Sequence, residues 1–293
     1  MVLSAGFSKL KAWLMATPVR AVLKKLQRAP VLGRYLSSLA TIPDGRILLG
    51  RGDMRRDWDE RACANAFYAV DSNDSQSDEL FWASGERDLK ELVLRGIELT
   101  GQDTVVEIGC GVGRLAVPLA ARAGVVHAFD ISPEMVRLAQ QRTKELRNVT
   151  VQVTDGSLPL PDNSVDFCLA HSVFIHFPDI VHVRGYLDEA YRVLKPGGLF
   201  RFDIRGARTD GDILLHAGTV KGVLVSERML SERAAAAGFE VVECRWSPED
   251  RSRTVKATDP EAQFLHALWR KPHRTPTKRS RPLESQRSPA ESD

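Results

Sequence analysis

The chain is sparing with cysteine, and none of its cysteines can clip a fold together. Cys63, Cys110, Cys168 and Cys244 are its four cysteines, far apart and with no CxxC pair, so neither a disulfide scaffold nor a zinc ribbon is expected. They read as free thiols in a reducing, cytoplasmic setting. No apolar run approaches the roughly 18 to 20 residues needed to cross a bilayer, and the N-terminus lacks an apolar stretch followed by a small-residue cleavage site. No histidine–acid spacing such as H-E-x-x-H is present, so no metal site is expected. Residues 1–43 contain no acidic residue and seven Lys/Arg, and residues 271–293 hold six basic and three acidic residues. Of the overall charge of +3, the residues between carry −7. The basic excess therefore sits in the terminal segments rather than on the body, and nucleic acid is not expected as a partner.

What is present, over 293 residues with 43% hydrophobic content, is enough chain for one catalytic-size domain with appendages. Four segments are expected: a basic amphipathic helical segment (1–43), a helical cap or lid (44–100), a core (101–270) and a disordered tail (271–293), rich in Pro, Ser, Arg and Glu. Within residues 7–39, Pro18 and Pro30 separate three short helices. In the middle one Val19, Val22, Leu23 and Leu26 oppose Arg20, Lys24, Lys25 and Arg28. Such a helix can lie on an anionic membrane surface and can equally pack on the body. The cap has helical patterns at Asp57–Val70 and Glu86–Glu98 with a polar stretch between. From Thr104 onward, short β-branched runs alternate with helical segments: 104–108, 125–129, 149–153, 165–170, 199–204, 239–244 and 264–269. That alternation predicts βαβ units, an α/β fold and a parallel sheet. Ser132 before Pro133, and Ser226 with Gly238 eleven residues beyond the helix start, read as helix caps.

The strongest local signal is Val105-Val106-Glu107-Ile108-Gly109-Cys110-Gly111-Val112-Gly113-Arg114, a buried strand entering a glycine loop and then a helix. Glycines allow positive φ and close approach of a ligand to the backbone, and the helix beyond offers unpaired N–H groups. A dinucleotide fingerprint would need glycine at position 114. The pattern here is E-x-G-x-G-x-G followed by Arg114. The next strand ends in Asp130, placed to accept hydrogen bonds from ribose hydroxyls, with Ile131 beside it, and the third ends in Thr154-Asp155-Gly156. Three carboxylates along one sheet edge suit a neutral-to-cationic nucleoside with an amino-acid arm better than a pyrophosphate.

With those residues in place, the chain resembles the class I S-adenosylmethionine-dependent methyltransferases over roughly residues 84–270. The resemblance rests on Glu107 to Gly113, Asp130, Asp155-Gly156, the run Leu158 to Asp166 and Leu194-Lys195-Pro196-Gly197-Gly198, all in the family's order. It implies a Rossmann-like, seven-stranded, mostly parallel sheet whose last strand runs antiparallel, with S-adenosyl-L-methionine as cofactor. It also implies roles: Gly109, Cys110, Gly111 and Gly113 under the methionine arm, Asp130 on the ribose, and Asp155 with Gly156 near the adenine.

After the fourth strand, Ala170-His171-Ser172-Val173-Phe174-Ile175-His176-Phe177 occupies the stretch where relatives place residues facing the sulfonium and the acceptor. His171 is therefore expected among the cofactor-contacting residues, and His171 or His176 as a general base if the acceptor is a hydroxyl. Each can instead hydrogen-bond a backbone carbonyl. Cys168 reads as packing. Trp58, Tyr68, Phe81 and Trp82, followed by a Ser84-Gly85 turn, can wall a pocket for a small apolar or aromatic molecule or form the core of the cap. The expected partner is a small-molecule methyl acceptor. Alternatives are a lipid or isoprenoid acceptor reached at the membrane through residues 7–39, and a protein that binds the donor without transferring methyl.

Overall fold

The structure is a computed structural model and describes residues 51–72, 74, 77–207, 210, 219, 222–247 and 263–273. The expected helices of residues 7–39 and the tail from residue 274 lie outside the described residues. Helix α1 (Arg51–Val70) and helix α2 (Asp78–Asp88) precede a one-turn π-helix at Leu89–Val93. The core follows as β1 (Thr104–Ile108), α3 (Ala116–Ala120), β2 (Val125–Asp130), α4 (Pro133–Thr143), β3 (Val149–Val153) and β4 (Val165–Ala170). A 3₁₀ turn at Phe174–His176 leads to α5 (Ile180–Val193), β5 (Leu194–Ala207), β6 (Leu224–Ser226), α6 (Glu227–Ala237), β7 (Glu240–Trp246) and β8 (Gln263–Arg270).

The strands form one sheet in the order β3-β2-β1-β4-β5-β8-β7, with the short β6 beside the far end of β5. All pairs are parallel except those of β8, which runs antiparallel to both β5 and β7. The expected fold class, an α/β sheet of seven main strands with an antiparallel last strand, is what the chain forms. The central strands are apolar on both faces because helices cover both. Only β6 had no counterpart in the sequence pattern.

Local chemistry sets the helix ends. Ser132 accepts from Met135 N at 3.1 Å ahead of Pro133. Ser226 accepts from Met229 N, and Gly238, at φ 89°, closes α6. The expectation of a helix over Glu86–Glu98 needs correction: α2 starts eight residues earlier, where Ser77 accepts from Leu80 N and Asp78 and Glu79 occupy the first turn. Ser84-Gly85 consequently lies inside a helix and not in a turn. Helix α1 begins before Asp57 and bends at Asn65 (φ −167°, ψ 94°), whose Oδ1 accepts from Tyr68 N. The expected tail also starts too early. Lys271 is buried, and its Nζ donates to Asn163 Oδ1 and to the carbonyls of Tyr191 and Leu194 at 2.7 to 2.8 Å, so it closes the C-terminal end of α5.

The main core lies between the sheet and helices α5 and α6, where Phe200, Phe202, Phe239, Phe174 and Trp269 pack with ring centroids 4.8 to 6.2 Å apart. Trp269 is fully buried on β8, against Phe202 and Phe239. Trp269→Ala is expected to cost about 3–5 kcal/mol of unfolding free energy, read by urea denaturation; a loss below about 1 kcal/mol would mean that this cluster is not the core of the C-terminal half.

Candidate functional site

The C-terminal ends of β1, β2, β4 and β5 converge where the strand order reverses, the place at which open α/β sheets hold ligands. A cavity of about 790 Å³ of empty space, open at its mouth, lies there. Its floor is Glu107 to Gly111, Arg114, Asp130, Ile131 and Thr154; its far wall is His171 to Val173, His176, Phe177 and Tyr186. Helix α1 roofs it with Met54, Trp58, Ala69 and Val70.

The glycine loop is fitted closely to its surroundings. Gly109 (φ 73°) and Gly111 (φ 54°) adopt the left-handed conformation that glycine takes without penalty. A Cβ on Gly109 would stand 2.4 Å from Val173 Cγ2, and one on Gly111 2.7 Å from Val70 Cγ2. Gly109 N and Cys110 N both donate to Phe129 O, tying the loop to the end of β2. Asp130 Oδ2 accepts from Gly111 N and Oδ1 from Ser132 N, both at 2.9 Å. Its carboxylate thus shapes both the loop and the start of α4, and burial raises its pKa.

Under the loop sits a buried group of charges. Arg114 Nη1 donates to Asp88 Oδ2 at 2.8 Å and to Ser84 Oγ at 2.9 Å, with Asp71 Oδ2 at 3.5 Å. Across from it, His171 Nδ1 lies 3.1 Å from Asp203 Oδ2, while Nε2 is 3.9 Å from Asp88 Oδ2, beyond hydrogen-bond reach. Desolvation raises Glu107 to about 8, with Arg114 pulling the other way and Asp130 adding to the rise. Desolvation lowers the His171 pKa, but the charge and hydrogen bond of Asp203 outweigh it and bring the ring to about 9. Glu107 is therefore mostly a neutral acid and His171 a cation at neutral pH. This corrects the expectation of His171 as a general base: its ring already carries the proton a base would have to take.

Of the residues singled out in the sequence, the fold brings Glu107, Gly109, Cys110, Gly111, Asp130, Ile131, His171 and His176 to one cavity. It does not bring Gly113, Asp155 or Gly156 to the lining. Gly113 faces Ala139, where a Cβ would make ordinary contact at 3.5 Å, so it serves the packing of α4. Asp155 is exposed and accepts from Ser157 N and Oγ. Of the four aromatics expected to wall the pocket only Trp58 does so; Phe81 and Trp82 pack with Phe67 beneath α1, and Tyr68 is 60% exposed. Cys110 and Cys168 are buried and their thiols pushed up by desolvation, so they pack and do not react. Asp88 and Asp203 went unremarked in the sequence, and Arg114 counted there only against a dinucleotide. The available signal for Asp203 was a carboxylate within the apolar run of a central strand. Among the described residues no group of three or more His, Cys, Asp or Glu could hold a metal ion, and no helix is long and apolar enough to cross a membrane.

This topology, with its acid-bearing glycine loop on β1, is a Rossmann-like α/β fold. A family profile described as a methyltransferase domain matches residues 106–202. The demethylmenaquinone methyltransferase of Tropheryma whipplei (strain Twist) is 36% identical over 105 residues, 34% of this chain and 41% of that protein; the alignment thus spans less than half of that relative's length. Among solved structures, geranyl diphosphate C-methyltransferase from Streptomyces coelicolor A3(2), crystallised with S-adenosyl-L-homocysteine, superposes with a TM-score of 0.54 at 16% identity, covering 75% of this chain and 97% of that one. The cyclase SpnF superposes with a TM-score of 0.51 at 20% identity, covering 68% and 84%.

The buried acid makes stability depend on pH. Folded Glu107 keeps its proton to about pH 8, whereas the unfolded residue loses it near 4.5, so between these values the folded state holds more protons and loses stability as pH rises. Ligand-free wild type is expected to lose unfolding free energy between about pH 5 and pH 8 relative to Glu107→Gln. Parallel pH profiles in urea denaturation would show that Glu107 is ionised in the folded chain.

Proposed function

We propose that the protein is an S-adenosylmethionine-dependent methyltransferase acting on a small-molecule acceptor. One observation carries the reading: Glu107 Oε2, Arg114 Nε and His171 Nε2 are buried, have no hydrogen-bond partner among the described residues, and belong to residues on the wall of one cavity. Buried polar atoms are seldom left unpaired. One of these is a carboxyl oxygen and two are cationic donors, the complement of the ammonium and carboxylate of an α-amino acid. A pyrophosphate offers only negative charge and would leave Glu107 without a partner.

The residues that would hold the donor follow from this. Glu107 takes the ammonium and ionises in doing so; Arg114 and His171 take the carboxylate. The Gly109–Gly111 turn lies under the methionine arm. The Asp130 carboxylate receives backbone N–H groups from Gly111, Ser132 and Ile131 and, with about four lone-pair sites on its two oxygens, retains one for a ribose hydroxyl. Ile131 and Thr154, on the lining between Asp130 and the turn at Asp155-Gly156, support an adenine position there, with the Ile131 side chain rather than the Asp155 carboxylate against the base. When bound, S-adenosylmethionine supplies an electrophilic methyl group on a sulfonium. Catalysis by the chain is then mainly a matter of positioning and water exclusion. Trp58 and Val70 on α1 close the roof. His176, whose ring meets the Trp58 edge at a centroid distance of 5.0 Å, is the side chain placed to orient an acceptor hydroxyl or take its proton. Met54, Trp58, Phe177 and Tyr186 make the acceptor end apolar and aromatic.

A second reading, donor binding without methyl transfer, is favoured by one finding: a cyclase shares the fold. Turnover separates the two. A lipid or isoprenoid acceptor is favoured by one finding, the relative named for demethylmenaquinone; the helices expected to reach a membrane, residues 7–39, lie outside the described residues.

Calorimetric titration with S-adenosylhomocysteine is expected to give saturable binding and titration with NAD none. Asp130→Ala should weaken the former by about 1–3 kcal/mol, and Gly111→Val should abolish it by driving a side chain into Val70. In an assay with S-adenosylmethionine and a small-molecule hydroxyl acceptor that the wild type methylates, His176→Ala should lower kcat while leaving S-adenosylhomocysteine affinity unchanged. Binding of NAD in place of S-adenosylhomocysteine would overturn the proposal.

A further inference from the structure

Asp203 has no place among the residues assigned above, yet it is buried at 4% exposure in the apolar strand β5, immediately behind the far wall of the cavity. Both of its oxygens are committed to the turn that follows β4. Oδ1 accepts from Ser172 N at 2.7 Å, and Oδ2 lies 3.1 Å from His171 Nδ1. Ser172 is one of two non-glycine residues with positive φ among those described, at 58°, and it lines the cavity. A serine is held in that conformation only where its surroundings impose it. The imposing group here is a carboxylate that grips the serine by its N–H and the preceding histidine by its ring.

We propose that Asp203 is a positioning residue of the site: it fixes the left-handed turn at Ser172 and holds the His171 ring by Nδ1, leaving Nε2 as the donor for the carboxylate of the bound amino-acid arm. The proposal rests on the donor reading above and adds a residue to it. The groups facing His171 are Asp203 from β5, Asp88 from α2, Arg114 after the glycine loop and Glu107 from β1, with His266 of β8 paired opposite Asp203. His266 is kept neutral, chiefly by desolvation, which takes its pKa to about 4, and its Nε2 lies 2.8 Å from Ser247 Oγ. Asp88 is already bonded to Arg114. Among the described residues Asp203 is thus the carboxylate within hydrogen-bond reach of the His171 ring, and it does most to hold the charge on that ring, with Asp88 adding to it.

The test uses the full-length chain and the variants Asp203→Asn and Asp203→Ala. Asparagine keeps an acceptor for Ser172 N but removes the charge facing Nδ1; alanine removes both. Ring resonances of His171, assigned by their loss in His171→Gln, are followed against pH by NMR without ligand. Wild type is expected to stay protonated to about pH 9, whereas in Asp203→Asn the ring should be neutral at pH 7.5. Affinity for S-adenosylhomocysteine at pH 7.5 should fall about tenfold in Asp203→Asn, the loss of one charge-assisted hydrogen bond. The wild-type and variant affinities should converge above pH 9, where both rings are neutral. A merely structural aspartate would not give that convergence. Asp203→Ala, which frees the turn as well, should bind more weakly than Asp203→Asn at every pH.

An unchanged His171 titration in a folded Asp203→Asn protein overturns the proposal. So does a tenfold loss of affinity that persists at high pH. Should neither variant fold, the wild-type spectrum decides: both ring nitrogens protonated at pH 7.5 supports the clamp, and a neutral ring rejects it. Failure of wild type to bind S-adenosylhomocysteine would overturn the donor reading and Asp203's part in it, while the ligand-free titration would still report whether Asp203 holds the ring.

Discussion

The ion pair between Arg114 and Asp88 is the interaction on which the rest of the site depends. Taking a guanidinium out of water costs several kcal/mol unless partners replace the lost hydration, and Arg114 finds them in Asp88 and Ser84, with Asp71 close by. All three belong to the segment before the sheet. The pair therefore joins that segment to the residue following the glycine loop, and Gly85 presses so closely on Arg114 that a Cβ there would stand 2.3 Å from its carbonyl oxygen. A helical cap that could have been a separate appendage is in this way made part of the cavity.

The same junction explains why the roof is where it is. Asp59 on α1 accepts from Ser132 Oγ and Glu134 N at the start of α4. Arg61 lies 4.7 Å over the Trp58 ring and donates to Thr219, which in turn donates to Asp57. Helix α1 is thus bonded at both ends of the cavity, to the element beside Asp130 and to the segment after β5. Apolar packing adds to these bonds, with Met54 in the main core and Ala62, Phe67 and Val70 against Phe81, Val112 and Met135, so the roof is built into the body and shields the cavity from water.

How much of this was legible in the sequence follows from which signals are local. Strand positions, the glycine loop, the caps at Ser132 and Ser226 and the carboxylate at Asp130 all depend on neighbours within a few residues, and all stand where the pattern placed them. The start of α2 differs from the pattern because Ser84-Gly85 reads as a turn, whereas the helix is capped earlier by Ser77; the aromatic wall differs because Phe81 and Trp82 pack toward Phe67 rather than into the cavity, and aromatic spacing alone does not distinguish the two. His171 looked like a base because imidazole ordinarily titrates near neutrality; its actual state is set by Asp203, 32 residues away in sequence and one strand over in space. Arg114 was visible only as a glycine that was missing. Its pairing with Asp88 is a contact across 26 residues that no periodicity announces. Long-range charge pairing is thus the part of the site that only the fold discloses.

The central claim is that three unpaired buried groups await the ammonium and carboxylate of an amino-acid arm. Glu107, protonated to about pH 8 in the ligand-free chain, must then lose its proton when an ammonium docks against it. Calorimetry of S-adenosylhomocysteine binding at pH 7 in buffers of different ionisation enthalpy measures that proton directly. The account predicts release of about one proton per bound ligand in wild type and none in Glu107→Gln. Binding without proton release in wild type, or with equal release in both, would contradict it.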